Sequence, residues 1–179
     1  VTTYSGVYGA SAAPVPVIDG GISLADVSFS GDGGLSKLRA QAIVECLSTQ
    51  EMDRFIDCRD SLPPHLRGFV VPYARDEYLS KGARLFLTVD GQGGVALIDG
   101  ELGSLFSLPG ANYGDRLVEF AIAQGASRLS CYDTRGKLLS LYGHHGFKET
   151  LRVPWNDEYA PKSWSYSVWG RPDYVEMSR

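Results

Sequence analysis

Several things are missing from this 179-residue chain, and each absence narrows what it can be. Cysteine is scarce and odd in number. Cys46, Cys58 and Cys131 show no metal-ligand spacing, so the expectation is reduced thiols, a cytoplasmic compartment and no metal site. No run approaches the ~20 apolar residues that cross a bilayer, so no membrane association is expected. No basic residue precedes Lys37, and Pro14 and Pro16 interrupt the opening; a secretory leader is not expected there. A positive surplus is missing too, since 17 Lys and Arg against 21 Asp and Glu give a net charge of −4. Proteins that hold nucleic acid by neutralising phosphates usually carry a basic field. Nucleic acid is therefore admitted only through a local patch. An amine-bearing partner, small molecule or protein, suits the acidic surface better.

What is present reads as one globular unit with an appendage. The length fits a single domain that can bury about two-thirds of its unfolded surface, so no staple is required. Residues 1–34 are rich in Gly, Ser and Ala with almost no charge before Asp19. They read as a loosely held arm, with one irregular strand at Ile22–Phe29. Such an arm can dock on the body or on a neighbouring subunit, which leaves a homodimer open. The remaining residues, 35–179, read as the functional domain.

Within that domain a helix is expected over Ser36–Leu47, with Leu35, Leu38, Ala42, Ile43 and Cys46 on one face. Ser48 and Glu51 have capping-box spacing, and Met52, Phe55 and Ile56 supply the buried stripe of the next helix. Pro63-Pro64 closes it, and Tyr73–Leu79 is a short helix ended by Gly82. Three strands follow in a meander, Arg84–Val89, Gly94–Ile98 and Leu102–Leu108, punctuated by Asp90-Gly91 and Asp99-Gly100. A helix carrying Leu117, Val118, Phe120, Ala121 and Ile122 begins after Pro109–Gly114 and ends at Gly125. Then come a strand at Ser127–Tyr132, a helix at Lys137–His144, a strand at Phe147–Val153, an aromatic loop over 154–171 and a last strand at Asp173–Met177. The fold class is α+β, a mixed but mostly antiparallel sheet flanked by helices.

The turn between the third strand and its helix carries the most chemistry. A helix N-terminus presents unpaired N–H groups and partial positive charge, which suits an anion. Gly110, Ala111, Asn112 and Gly114 add little bulk, and Asn tolerates left-handed geometry. A tight turn without a ligand explains the same residues equally well.

The order strand, G-A-N-Y-G-D-R-L, helix, strand, helix ending in L-Y-G-H-H-G-F, strand resembles the GNAT superfamily of N-acetyltransferases over residues 83–153. Gly110, Asn112 and Gly114 match a G-x-G-x-G form of that family's pyrophosphate loop, with Asn112 at the middle glycine. Leu141-Tyr142 and Gly146-Phe147 match its L-Y-x-x-x-G-F. Pro109 replaces the basic or amide residue that often opens the loop, and Asp115 places a carboxylate where phosphate would sit. The aromatic tail and the G-R-P-D-Y-V-E-M ending resemble GNAT-like proteins of phages and mobile elements, among them the Mom type that modifies adenine in DNA.

The resemblance implies transfer of an acetyl or related acyl group from acetyl-CoA to an amine in a direct ternary complex. It implies a cofactor site at Phe106, Ser107, Gly110, Ala111, Asn112, Tyr113 and Gly114. Tyr142 becomes the proton donor to the leaving thiolate, a general-acid role. Asp133, at a strand's carboxyl end, and Glu101, after a hairpin, are the base candidates; Asp133 serves equally as a turn residue. Trp155, Tyr159 and Trp164 are the expected acceptor wall, near Arg152, Lys162 and Arg171, although a loop folded over the sheet accounts for the same aromatics. His144 and His145 suit a helix C-terminus, and Cys131 suits a core. Two other readings share the scaffold: Mom-like modification of a DNA base, and a non-catalytic interaction module.

Overall fold

The computed structural model describes residues 42–179. The expected arm, the strand at 22–29 and the first turns of the expected helix at 36–47 lie outside the described residues. Strands β1 (Ile43–Glu45), β2 (Arg84–Thr88), β3 (Gly93–Ile98), β4 (Glu101–Ser107), β5 (Arg128–Tyr132), β6 (Lys148–Val153) and β7 (Tyr174–Ser178) form one sheet in the order β1-β2-β3-β4-β5-β7-β6. Every neighbouring pair is antiparallel except β4–β5. The helices are α1 (Thr49–Asp60), α2 (Arg75–Ser80), α3 (Gly114–Ala123), α4 (Lys137–His144) and α5 (Tyr166–Trp169), with 3-10 turns at Pro64–Phe69 and Asp157–Tyr159. This is the mixed, mostly antiparallel α+β class that the sequence implies. Among the described residues no helix is long and apolar enough to cross a membrane.

The end of the helix expected over Ser36–Leu47 is instead strand β1, where Ile43, Val44 and Glu45 pair with Thr88, Leu87 and Phe86. The β-branched pair Ile43-Val44 suits a pleated edge. The free edge of β2 supplies partners that a helix period cannot announce. The capping box forms as its spacing requires: Glu51 N–H donates to Ser48 Oγ, and the Ser48 N–H donates to the Glu51 carboxylate. The β3–β4 turn places Asp99 at φ 48° and Gly100 at φ 73°, the paired left-handed geometry of a tight hairpin.

Two apolar layers sandwich the sheet. On the back, Leu117, Val118 and Ala121 of α3 join Phe86, Leu102, Leu129, Tyr142 and Val175. On the front, Met52 and Phe55 of α1 and Tyr78 of α2 join Leu85, Leu87, Ala96 and Phe106. Leu102 and Phe106 belong to opposite layers although both are even-numbered residues of one strand. A bulge in β4 explains this: Gly94 pairs with Phe106 and Ala96 with Gly103, three steps on β4 against two on β3. Ser104 carries the irregularity at φ 44°, and the extra residue inverts the side-chain alternation beyond it.

The bulge is held from the front. Tyr78 Oη donates to Ser104 Oγ at 3.0 Å, and Ser104 Oγ donates to the Val71 carbonyl at 3.2 Å. Arg59 is 2% exposed and donates to Tyr78 Oη and to the Tyr73 carbonyl. A buried charge tolerates this position because acceptors and the neighbouring Asp60 meet the guanidinium. A strained non-glycine residue persists where its surroundings over-determine it.

Candidate active site

Strands β4 and β5 run parallel, and their register covers only Glu101↔Arg128 and Leu102↔Leu129. Beyond these pairs they part, and the sheet opens. A cavity of about 610 Å³ fills the opening and is bordered from both layers. Strand alternation sets the sides: Leu129 and Cys131 face the back core, so Ser130 and Tyr132 face the front, as Glu101 does opposite Leu102. On the back the cavity meets Tyr142, Cys131, Thr134 and Leu138; on the front it meets Glu101, Tyr132, Tyr174 and the segment Phe69–Pro72. Its charged lining residues are Glu101 in front and Lys137 at the start of α4.

Tyr142 and Glu101, distant in sequence, thus border one cavity from opposite sides. Tyr142 is 6% exposed, and burial holds its hydroxyl well above the usual tyrosine range, so it stays protonated at neutral pH. Glu101 is half-buried. Burial raises its carboxyl above the ordinary glutamate range, only partly offset by Arg128, whose Nε lies 3.8 Å away. Cys131 also borders the cavity, and burial pushes its thiol up to about 12. Nucleophilic sulfur is the thiolate, so Cys131 is inert at neutral pH.

Asp133 lies elsewhere. Its Oδ1 accepts from the Gly136 N–H at 3.0 Å, and its Oδ2 pairs with Arg152 at 2.8 Å. It closes the turn into α4 and does not line the cavity.

Phe106 and Ser107 line the cavity where β4 ends, and the turn to α3 follows at once. Gly110 sits at φ 86° and Asn112 at φ 55°, the left-handed geometry that this glycine–asparagine spacing invites. A Cβ on Gly110 would meet nothing within 4 Å, and one on Gly114 only Leu141 at 3.7 Å. The turn is therefore open on the side that glycine leaves bare. No side chain caps the first turn of α3, so its leading N–H groups remain available to an anion.

Tyr113, within the expected cofactor loop, is anchored at both ends. Its N–H donates to Ser107 Oγ at 3.0 Å, and its hydroxyl donates to Asp90 at 2.6 Å. With both polar groups engaged, it clamps the turn against the β2–β3 loop. The ring fits because β3 has glycine beneath it: a Cβ on Gly93 would lie 2.9 Å from that ring. Asp115, in the first turn of α3, pairs with His145 Nε2 at 3.0 Å, which ties the start of α3 to the end of α4.

The aromatic loop folds back over the front of the sheet. Trp164 is buried and lies on Gly68, where a Cβ would be 2.8 Å from the indole, and its Nε1 donates to the Gly170 carbonyl. It packs against Tyr132 and Trp155 and borders neither cavity. Trp155 and Tyr159 do face open space. With Tyr132, Tyr174 and Asn156 they line a second cavity of about 250 Å³. Tyr132 and Tyr174 border both cavities, so the second adjoins the front of the first. The nearby arginines are committed to carboxylates: Arg152 bridges Glu149, Asp133 and Asp173, and Arg171 pairs with Asp157. Among the described residues no group of three or more His, Cys, Asp or Glu could hold a metal.

Sequence reasoning missed Tyr132, Tyr174, Lys137 and the Phe69–Pro72 wall. The signal for the tyrosines was strand alternation, which puts them on the face of Glu101 once β4 and β5 are known to be parallel. The wall follows Pro63-Pro64, which reads as a terminator and here starts a 3-10 turn instead.

No model of a known protein family matches the sequence, and no curated protein does. Solved structures similar to this chain include spermidine N-acetyltransferase from Vibrio cholerae in complex with CoA and spermine, at 17% identity over 75% of this chain and 93% of that one, TM-score 0.49. Ribosomal-protein-alanine N-acetyltransferase from Brucella melitensis is 14% identical over 77% of this chain and 98% of that one, TM-score 0.47. A Bacillus subtilis acetyltransferase in complex with CoA is 20% identical over 57% of this chain and 78% of that one, TM-score 0.41.

Proposed function

We propose that the protein is an acyl-CoA-dependent N-acyltransferase that joins donor and acceptor in the cleft between β4 and β5. One observation carries this reading. The cleft passes between the layers of the fold, with a protonated tyrosine on one side and a half-buried carboxylate on the other. A thioester and an amine can then meet inside the sheet, each entering from its own face.

The residues present fit acyl-CoA. The open turn at Gly110–Gly114 and the uncapped start of α3 suit its diphosphate. Lys137, exposed at the cavity, adds positive charge on the same back face. The mostly apolar lining suits the pantetheine arm. When bound, acyl-CoA supplies an activated carbonyl and a thiolate leaving group.

Glu101 is then the base, acting directly or through water: it takes the proton that an incoming ammonium must lose before its nitrogen can attack. Tyr142 holds the proton that goes to sulfur as the carbon–sulfur bond breaks and the amide bond forms. Two protons leave the nitrogen between ammonium and amide. Glu101 passes the first to water. The second, shed after the carbon–nitrogen bond forms, replaces the one Tyr142 gives to sulfur, so the exchange balances with one proton released to water. The protonated Cys131 argues for direct transfer over an acyl-enzyme. The commitment of Arg152 and Arg171 to carboxylates weighs against a phosphate-binding face and hence against DNA modification.

Calorimetric titration with acetyl-CoA tests the reading. Micromolar binding is expected, with loss of binding in Gly114→Glu, whose carboxylate would occupy the anion site. Tyr142→Phe should keep that affinity and lose about 10²-fold or more in turnover, the usual scale of one general acid. A folded protein that binds no acetyl-CoA would sink the proposal.

A further inference from the structure

Resting on the acyltransferase reading, we propose that the acceptor is a primary amine carried on an aromatic or short alkyl body, with its ammonium at Glu101 and its apolar body in the pocket of Tyr132, Trp155, Tyr159 and Tyr174. The charge pattern of the front face points there. Among the described residues Glu101 is the sole acidic group bordering the cavity. Of the other carboxylates of the region, Asp133 and Asp173 are spent on Arg152 and Asp157 on Arg171, and Glu176, within electrostatic reach of Glu101, does not line the cavity. A single anion matches a single ammonium, whereas a polyamine needs a row of carboxylates to replace its water.

The walls point the same way. Phe69, Val70, Val71 and Pro72 line the front of the cleft, and a charged body would lose its hydration against them without compensation. Tyr132 and Tyr174 lead from Glu101's cleft into the aromatic pocket, whose 250 Å³ has room for one ring or a short chain. Aromatic faces attract a cation at the entrance and pack an apolar group beyond it. Tyr132 is itself fixed by Trp164, with ring centroids 4.7 Å apart, so the pocket is preformed.

The test is thiol release from acetyl-CoA with 2-phenylethylamine, n-butylamine, spermidine and free lysine as acceptors, alongside calorimetric binding of acetyl-CoA. The expected kcat/KM is highest for 2-phenylethylamine and at least about tenfold above spermidine and lysine, the discrimination an apolar pocket supplies. Trp155→Ala and, at the exposed rim, Tyr159→Ala should each lower the ratio of 2-phenylethylamine to n-butylamine turnover several-fold. If acetyl-CoA binds but spermidine or lysine equals or exceeds 2-phenylethylamine, or no amine is acylated, the acceptor class is wrong while the donor reading stands. If acetyl-CoA does not bind, both fall.

Discussion

Glu101 and Tyr142 are pushed the same way by burial, towards the protonated form, yet the push serves opposite roles. For Tyr142 it keeps a proton in place for donation. For Glu101 it raises the basicity of a carboxylate that must accept one, within a field set by Arg128, Glu176 and Asp99. A base works only when ionised, so kcat/KM should fall on the acid side with a midpoint above the ~4.3 of an ordinary glutamate. Glu101→Gln should remove that limb along with most of the activity. The stability sign runs the other way. A folded-state pKa above the unfolded one favours the protonated form, so the contribution is present at low pH and lost as pH rises through the folded value. At pH 7 the ionised Glu101 is therefore a net cost, and Glu101→Gln should melt higher than the parent, with a gain that shrinks towards acid pH. Thermal melts across pH check this; a Gln variant less stable at pH 7 would contradict the electrostatic account of the site.

The turn between β4 and α3 shows how an element can be specified twice. Its left-handed positions follow from Gly110 and Asn112, visible in the sequence, but its anchor, Tyr113 to Asp90, joins residues 23 apart. Burial alone would raise the Asp90 carboxyl; hydrogen bonds from Tyr113, Thr88 and Gln92 outweigh it and hold the pKa below the ordinary aspartate range. A depressed pKa gives stability that is present above the unfolded value and lost as pH falls through the folded one. Tyr113→Phe should therefore cost about 1 kcal/mol at pH 7, the scale of a partly exposed charged hydrogen bond. The deficit should narrow towards pH 3. Denaturant melts of parent and variant at both pH values check it, and a deficit independent of pH would mean the ring's packing matters and its hydroxyl does not. The same contrast governs what could be read in advance. Caps, glycine turns and helix stripes are local, so α1, the meander, α3 and α4 are written in consecutive residues. The bulge at Ser104, the 3-10 wall after Pro63 and the β1 strand depend on partners far along the chain. Arg59, Tyr78 and Val71, which fix the bulge, carry no mark in their own neighbourhoods.

At the scale of the whole molecule the sheet is two half-sheets, β1–β4 and β5–β7, joined by two parallel register pairs. The back core crosses this seam, with Phe86 and Val95 on one side and Leu129 and Val175 on the other in the same cluster. The front is bridged instead by the aromatic loop, where Trp164 meets Phe69 and Tyr132. Beyond Leu102 and Leu129 the facing edges of β4 and β5 lack each other as partners, a cost unless something else fills the gap. A donor molecule lying in the seam would supply that filling, and its effect should be concentrated there. With acetyl-CoA at one hundred times its dissociation constant, mass action adds about 2.7 kcal/mol. For a chain of this size that is a rise in Tm of roughly 5–10 °C. Hydrogen exchange should slow at 103–107, 110–116 and 129–133, and stay unchanged along β6 at the far edge. A ligand-induced Tm shift without protection at 103–107 would put the donor outside the cleft, and Tyr142 and Glu101 would lose their roles together.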